Sequence, residues 1–137
     1  MDNMNHYSNK AYHHYQASNV ALSSPEGLIA LLYSELLFSL ILSKEAFLIK
    51  DSVAMNKNIS KSVEILVELM GSLNIEKGET IALNLAVLYE YIAGKLLTLR
   101  CQPNIALFNE VIQLITPLKE AWEKITTPDI PQKMAMK

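Results

Sequence analysis

Histidine, cysteine and paired carboxylates are the groups from which a chain of this size would build a metal centre or a nucleophile. The three histidines, His6, His13 and His14, all lie close to the N-terminus. Helical metal centres need inward carboxylates and Glu-x-x-His pairs on facing helices, and no Glu-x-x-His occurs. His13 and His14 are adjacent, and adjacent side chains on a helix or strand do not converge on one ion. A phosphotransfer histidine in mid-helix is lacking as well. Cys101 is the only cysteine, so an intrachain disulfide cannot form. With no histidine close to it in sequence, it reads as a small hydrophobe rather than a nucleophile. Neither a phosphate-cradling glycine loop nor a nucleophile elbow is present. The expectation is a non-enzymatic protein with no cofactor and no bound metal.

What remains as a functional signal is apolar surface. Of 137 residues, 50% are hydrophobic and 19% charged, below the quarter usual in soluble domains, and mean hydropathy is positive. This length supports one domain with one core. The apolar excess therefore enlarges that core or is kept for a partner. A net charge of -2 and a pI near 5.9 give no electrostatic reason to expect nucleic acid or an anionic membrane. The opening MDNMNHYSNK lacks the basic-then-apolar layout of a secretory signal. The most apolar stretch, Leu28 to Leu42, contains Glu35 and is shorter than the ~20 residues of a bilayer span. A soluble protein of a reducing cytoplasm, without membrane insertion, is expected.

The elements follow from punctuation and period. Residues 1–22 are polar and aromatic, with Tyr7, Tyr12 and Tyr15 among Asn, Ser and His, and read as an N-terminal arm or short helix. Ser24-Pro25-Glu26 is a helix start: a capping hydroxyl, a proline that loses nothing at the first position, and an acid near the positive end of the dipole. The helix is expected to reach about Lys50. Its polar stripe is narrow, Glu35, Ser39 and Ser43, and nearly every other position is apolar. A helix of this kind is either central to a bundle or overlaid by another chain.

A second helix, about Val53 to Leu73, repeats Ile59, Val63, Leu66, Met70 and Leu73 opposite Lys57, Lys61, Glu64 and Glu68, an amphipathic pattern. Asn74 to Gly78 reads as a turn. A third helix, about Glu79 to Arg100, aligns Ile81, Leu85, Leu88, Ile92, Leu96 and Leu99. Gln102-Pro103-Asn104 breaks the chain. The last helix, about Asn104 to Ile125, aligns Phe108, Val111, Ile115, Leu118, Trp122 and Ile125, with Pro117 inside it; the proline should kink the helix or restart it behind a Thr116 cap. Residues 126–137 read as a flexible tail. Four long helices with short connections, over residues 23–125, predict an all-α fold: an antiparallel up-and-down four-helix bundle.

Three blocks of residues resemble one family. Ala11-Tyr12-His13-His14-Tyr15-Gln16-Ala17-Ser18-Asn19-Val20, then Ser24-Pro25-Glu26-Gly27-Leu28-Ile29 and Leu31-Leu32-Tyr33, is similar to the start of the flagellar export chaperone family FliS. Ile81-Ala82-Leu83-Asn84-Leu85 with Leu88-Tyr89-Glu90-Tyr91-Ile92 resembles its Ala-x-Asn-Leu-x-x-Leu-Tyr-x-Tyr segment. Asn109-Glu110-Val111 and Leu118-Lys119-Glu120-Ala121-Trp122-Glu123 resemble its Glu-Val and Leu-Arg-x-x-Trp pattern. The marks fall in family order over about residues 11 to 125. The departures are Leu22-Ser23-Ser24-Pro25 for Thr-Ala-Ser-Pro, Ser34-Glu35 for the family's Asp-Gly, Phe38 where arginine is common, and Pro117. A divergent member is implied.

The resemblance implies a chaperone that binds the disordered C-terminal segment of flagellin, prevents premature polymerisation and aids export. A client that folds on binding needs a long apolar groove to offset its ordering entropy. The client-binding residues expected on this basis are Tyr15, Ile29, Leu32, Tyr33, Leu40, Asn84, Leu88 and Tyr91. Tyr33 and Leu40 are expected to reach a groove, so that aspartate there should weaken client binding more than stability. Leu28, Leu32 and Leu36 form an i, i+4 row that reads more readily as core than as client contact. Asn84 could bond the client backbone or tie two helices together. Tyr89 and Tyr91 point to different sides, so at least one hydroxyl should reach a surface or need a buried partner; Trp122 continues the core stripe. The N-terminal arm either competes for the groove or caps the bundle. Partners would be flagellin and an export-gate component, with the chain a monomer or homodimer. The alternative is a helical scaffold or homo-oligomerisation protein that binds an export-apparatus component instead of flagellin.

Overall fold

A computed structural model describes residues 24–73 and 75–126, in four helices: α1 (Pro25–Leu48), α2 (Ser52–Gly71), α3 (Ile75–Cys101) and α4 (Ile105–Thr126). The expected arm, and the tail after Thr126, lie outside the described residues.

Three of the four helix starts carry a side-chain cap. Ser24 Oγ accepts from the Gly27 amide at 3.0 Å, with Pro25 at the first helical position. Asp51 Oδ1 accepts from Ala54 N at 3.1 Å, and Asn104 Oδ1 accepts from Leu107 N at 2.8 Å. All three satisfy amides that lack an intrahelical carbonyl. The link between α1 and α2 is a Schellman turn: Lys50 N donates to Phe47 O at 3.0 Å and Asp51 N to Ala46 O at 2.8 Å. Lys50 takes the left-handed conformation, φ 64°.

Two boundaries differ from expectation. The segment from Ile75 to Gly78 is the first turn of α3 rather than a turn between helices, since Ile75, Glu76 and Lys77 accept helical geometry and one glycine costs only about 1 kcal/mol. α4 runs unbroken through Pro117. Thr116 does not cap a restarted helix; its Oγ1 donates back to Ile112 O at 2.7 Å.

The contacts between helices are antiparallel in sense. Ser43 Oγ donates to Met55 O at 2.9 Å, joining the end of α1 to the start of α2. Arg100 at the end of α3 donates to Ser60 Oγ in α2 at 2.7 Å. α4 returns along α1, with the Phe47 and Phe108 rings 5.8 Å apart at one end and Tyr33 stacked on Trp122 at 6.4 Å at the other. The result is an antiparallel up-and-down bundle. Its core is filled by Tyr33, Leu36 and Leu40, by Ile59, Leu66 and Leu69, by Ile92, Leu96 and Leu99, and by Phe108, Val111 and Ile115.

α1 is turned the opposite way from an ordinary surface helix. Its polar stripe, Glu35, Ser39 and Ser43, is buried, while Phe38, Ile41 and Leu48 are exposed. Short serine side chains cost less to desolvate at a close helix contact when a carbonyl receives the hydroxyl, as Met55 O does for Ser43. By length and composition alone, α1 and the Thr80–Cys101 part of α3 are long and apolar enough to cross a membrane, α1 extending beyond the Leu28 to Leu42 stretch on both sides. Half of that α1 window is buried inside the bundle.

Candidate client-binding surface

The first turns of α1, the last turns of α2 and the end of α4 do not close on one another. They leave a cavity of about 830 Å³ lined by Leu28, Ile29, Leu31, Leu32 and Trp122, with Glu26, Glu35 and Glu68 among the other lining residues. The opening follows from side-chain size where α2 ends. Gly71 and Ser72 line the cavity there, and a Cβ built on Gly71 would meet nothing within 4 Å among the described residues. Leu28 is 45% exposed although its row reads more readily as core, whereas Leu36, two turns on, is fully buried. One row thus passes from the groove into the core.

The groove floor adjoins a buried polar pair. The Tyr33 and Tyr89 hydroxyls hydrogen-bond to each other between α1 and α3, and Tyr33 also stacks on Trp122. Burial, reinforced by the neighbouring Tyr89 hydroxyl, pushes Tyr33 well above the ordinary tyrosine range. Burial raises Tyr89 too, against an opposing effect of its hydrogen bond with Tyr33. Removing each phenol from water disfavours its charged form, so the pair is a neutral structural tie.

A second uncovered surface runs along α3, where Leu83, Val87 and Leu97 are exposed. Tyr91 lies on this side, 46% exposed, its hydroxyl donating to Glu110 Oε2 at 2.5 Å and its ring 5.0 Å from Lys95 Nζ. Asn84 is exposed nearby in the same helix.

The expected contact residues therefore separate. Ile29 and Leu32 line the groove. Asn84 and Tyr91 belong to the outer side of α3, and Leu88 is half-buried against the core. Tyr15 lies outside the described residues. Tyr33 and Leu40 are fully buried, so the expectation that they reach a surface is corrected. They occupy the side of α1 that packs into the core, and aspartate at either position tests the bundle rather than a client surface. Of the two neighbouring tyrosines, Tyr89 has the buried partner and Tyr91 the surface. Trp122, expected in the core stripe alone, lines the groove, as does Leu28, whose row reads more readily as core than as client contact. Leu83, Val87 and Leu97 are not among the expected contact residues. The spacing of Leu83, Val87 and Tyr91 at intervals of four marks a second stripe on α3 that could have been seen.

Among the described residues, these features define an all-α protein: a packed four-helix bundle with an open apolar groove and an exposed helix face. The family model of the flagellar protein FliS matches residues 8–129, and the chain belongs to that family. It is 31% identical over 119 residues to the flagellar secretion chaperone FliS of Salmonella typhimurium, covering 85% of this chain and 88% of that one. It is 30% identical over 118 residues to the protein of the same name in Campylobacter jejuni, covering 86% and 92%. With the namesake in Vibrio cholerae it shares 25% over 108 residues, 79% of each chain.

Proposed function

We propose that this chain is a cytoplasmic, non-enzymatic flagellar export chaperone. It holds the disordered C-terminal region of flagellin, prevents premature polymerisation and aids export, without inserting into a membrane. Membership of the FliS family supports the chaperone role, and the observation that carries the client reading is the open apolar groove at the end of the bundle. A disordered segment must bury ~1,000 to 3,000 Å² to offset its ordering. The groove and the exposed α3 side supply apolar surface on one small domain.

Ligand binding to the folded state alone raises its stability in proportion to the logarithm of ligand concentration. A flagellin C-terminal peptide from the same organism should therefore raise the melting temperature of the monomer progressively with concentration. An unchanged melting temperature, with mass that grows with protein concentration in the absence of peptide, would instead support the scaffold or homo-oligomer. That second reading draws on the exposed Leu83, Val87 and Leu97, which form a face suited to another helix.

A further inference from the structure

We propose that the groove between α1, α2 and α4 takes a helical client segment whose apolar stripe is flanked by lysine or arginine, so that its acidic lining selects among equally apolar segments. The inference rests on the chaperone reading and adds the chemistry of the segment that this groove accepts. Among the described lining residues every ionisable one is acidic: Glu26 in the first turn of α1 and Glu68 near the end of α2, both exposed, and Glu35 one turn beyond Leu31. Glu35 is only 3% exposed. The described lysine nearest to Trp122 toward the start of α4, Lys119, is held by Glu123 at 2.9 Å.

Apolar walls attract any apolar stripe in proportion to the area covered. They cannot by themselves distinguish one such segment from another. Carboxylates at the margin can, because an acidic edge brought against them is repelled while a basic edge is attracted, more strongly where the client excludes water. A cleft of several hundred cubic ångströms is also large enough to take several side chains at once. The groove thus combines a general source of affinity with a source of choice.

Trp122 is the only tryptophan in the chain and lines the groove, so its fluorescence reports occupancy in the intact protein. Two synthetic amphipathic peptides with one common leucine stripe, flanked by lysines in one and glutamates in the other, are the probes. At low salt the lysine peptide should bind about fivefold or more tightly than the glutamate peptide. That preference should shrink in about 0.5 M salt. It should also shrink in the double variant Glu26→Gln/Glu68→Gln, whose positions are exposed and whose substitution leaves the core intact. Equal affinities in the wild-type chain, an undiminished preference in the double variant, or no change in Trp122 emission with either peptide would overturn the proposal. A lysine preference with no binding of the flagellin segment would keep the groove chemistry and remove flagellin as client. Flagellin binding with the two peptides tied would do the reverse.

Discussion

Tyr33 and Tyr89 form the most consequential side-chain pair, because two phenols are removed from water between α1 and α3. A buried hydroxyl that loses its partner bears its full desolvation cost, whereas removing both partners is far less damaging. Tyr33→Phe should therefore cost about 1–3 kcal/mol in urea denaturation, and Tyr33→Phe/Tyr89→Phe less than the sum of the single changes; additive losses would contradict the tie. The pair also predicts an alkaline limit. Both phenols have folded pKa values above the ordinary value of 10, so their contribution is fully present below that pH. It is lost as pH rises beyond it, because only the unfolded chain ionises readily. Stability measured from pH 9 upward should fall in the wild-type chain, and fall less steeply in the double phenylalanine variant. This burial was not legible in the sequence. α1 is apolar around most of its circumference and its few polar residues are themselves buried, so the pattern has no phase from which to tell Tyr33 and Leu40 from Phe38 and Ile41.

At the scale of the helices, the starts of α1 and α4 were legible because each depends on one local hydrogen bond, Ser24 to Gly27 N and Asn104 to Leu107 N, whereas the start of α3 at Ile75, four residues ahead of the expected Glu79, was not. The break at Pro103 and the all-α class were equally plain. The turn between α1 and α2 was not, because it closes on Lys50 rather than on the glycine that usually marks a left-handed residue. Its strain can be measured. Lys50→Gly removes the Cβ penalty of that conformation and should raise stability by about 1 kcal/mol, seen as a higher urea midpoint with unchanged slope. A lower midpoint would mean that the lysine side chain contributes more than its backbone costs. The exposed side of α3 is not legible for another reason: its second stripe, Leu83, Val87 and Leu97, accompanies an equally regular buried stripe through Ile92, Leu96 and Leu99. A helix with two apolar stripes shows which positions are apolar but not which stripe faces the bundle.

At the scale of the molecule, the groove is where the fold departs from a closed bundle. The surplus of apolar residues over charged ones was visible from composition, but its location depends on how α1, α2 and α4 end relative to one another, which no local pattern encodes. Gly71 offers a direct way to close it. A Cβ added there meets nothing within 4 Å among the described residues, at the rim of the cavity, so Gly71→Phe should fold normally by circular dichroism while weakening client binding about tenfold or more. Normal affinity in a folded Gly71→Phe protein would move the client to another face. The most direct test of the central claim is calorimetric titration of the purified chain with a C-terminal flagellin peptide from the same organism, repeated at several temperatures. The proposed chaperone predicts saturable one-to-one binding with a negative heat-capacity change from buried apolar surface; no heat of binding at high concentration, with both components intact and at every temperature tried, would contradict it.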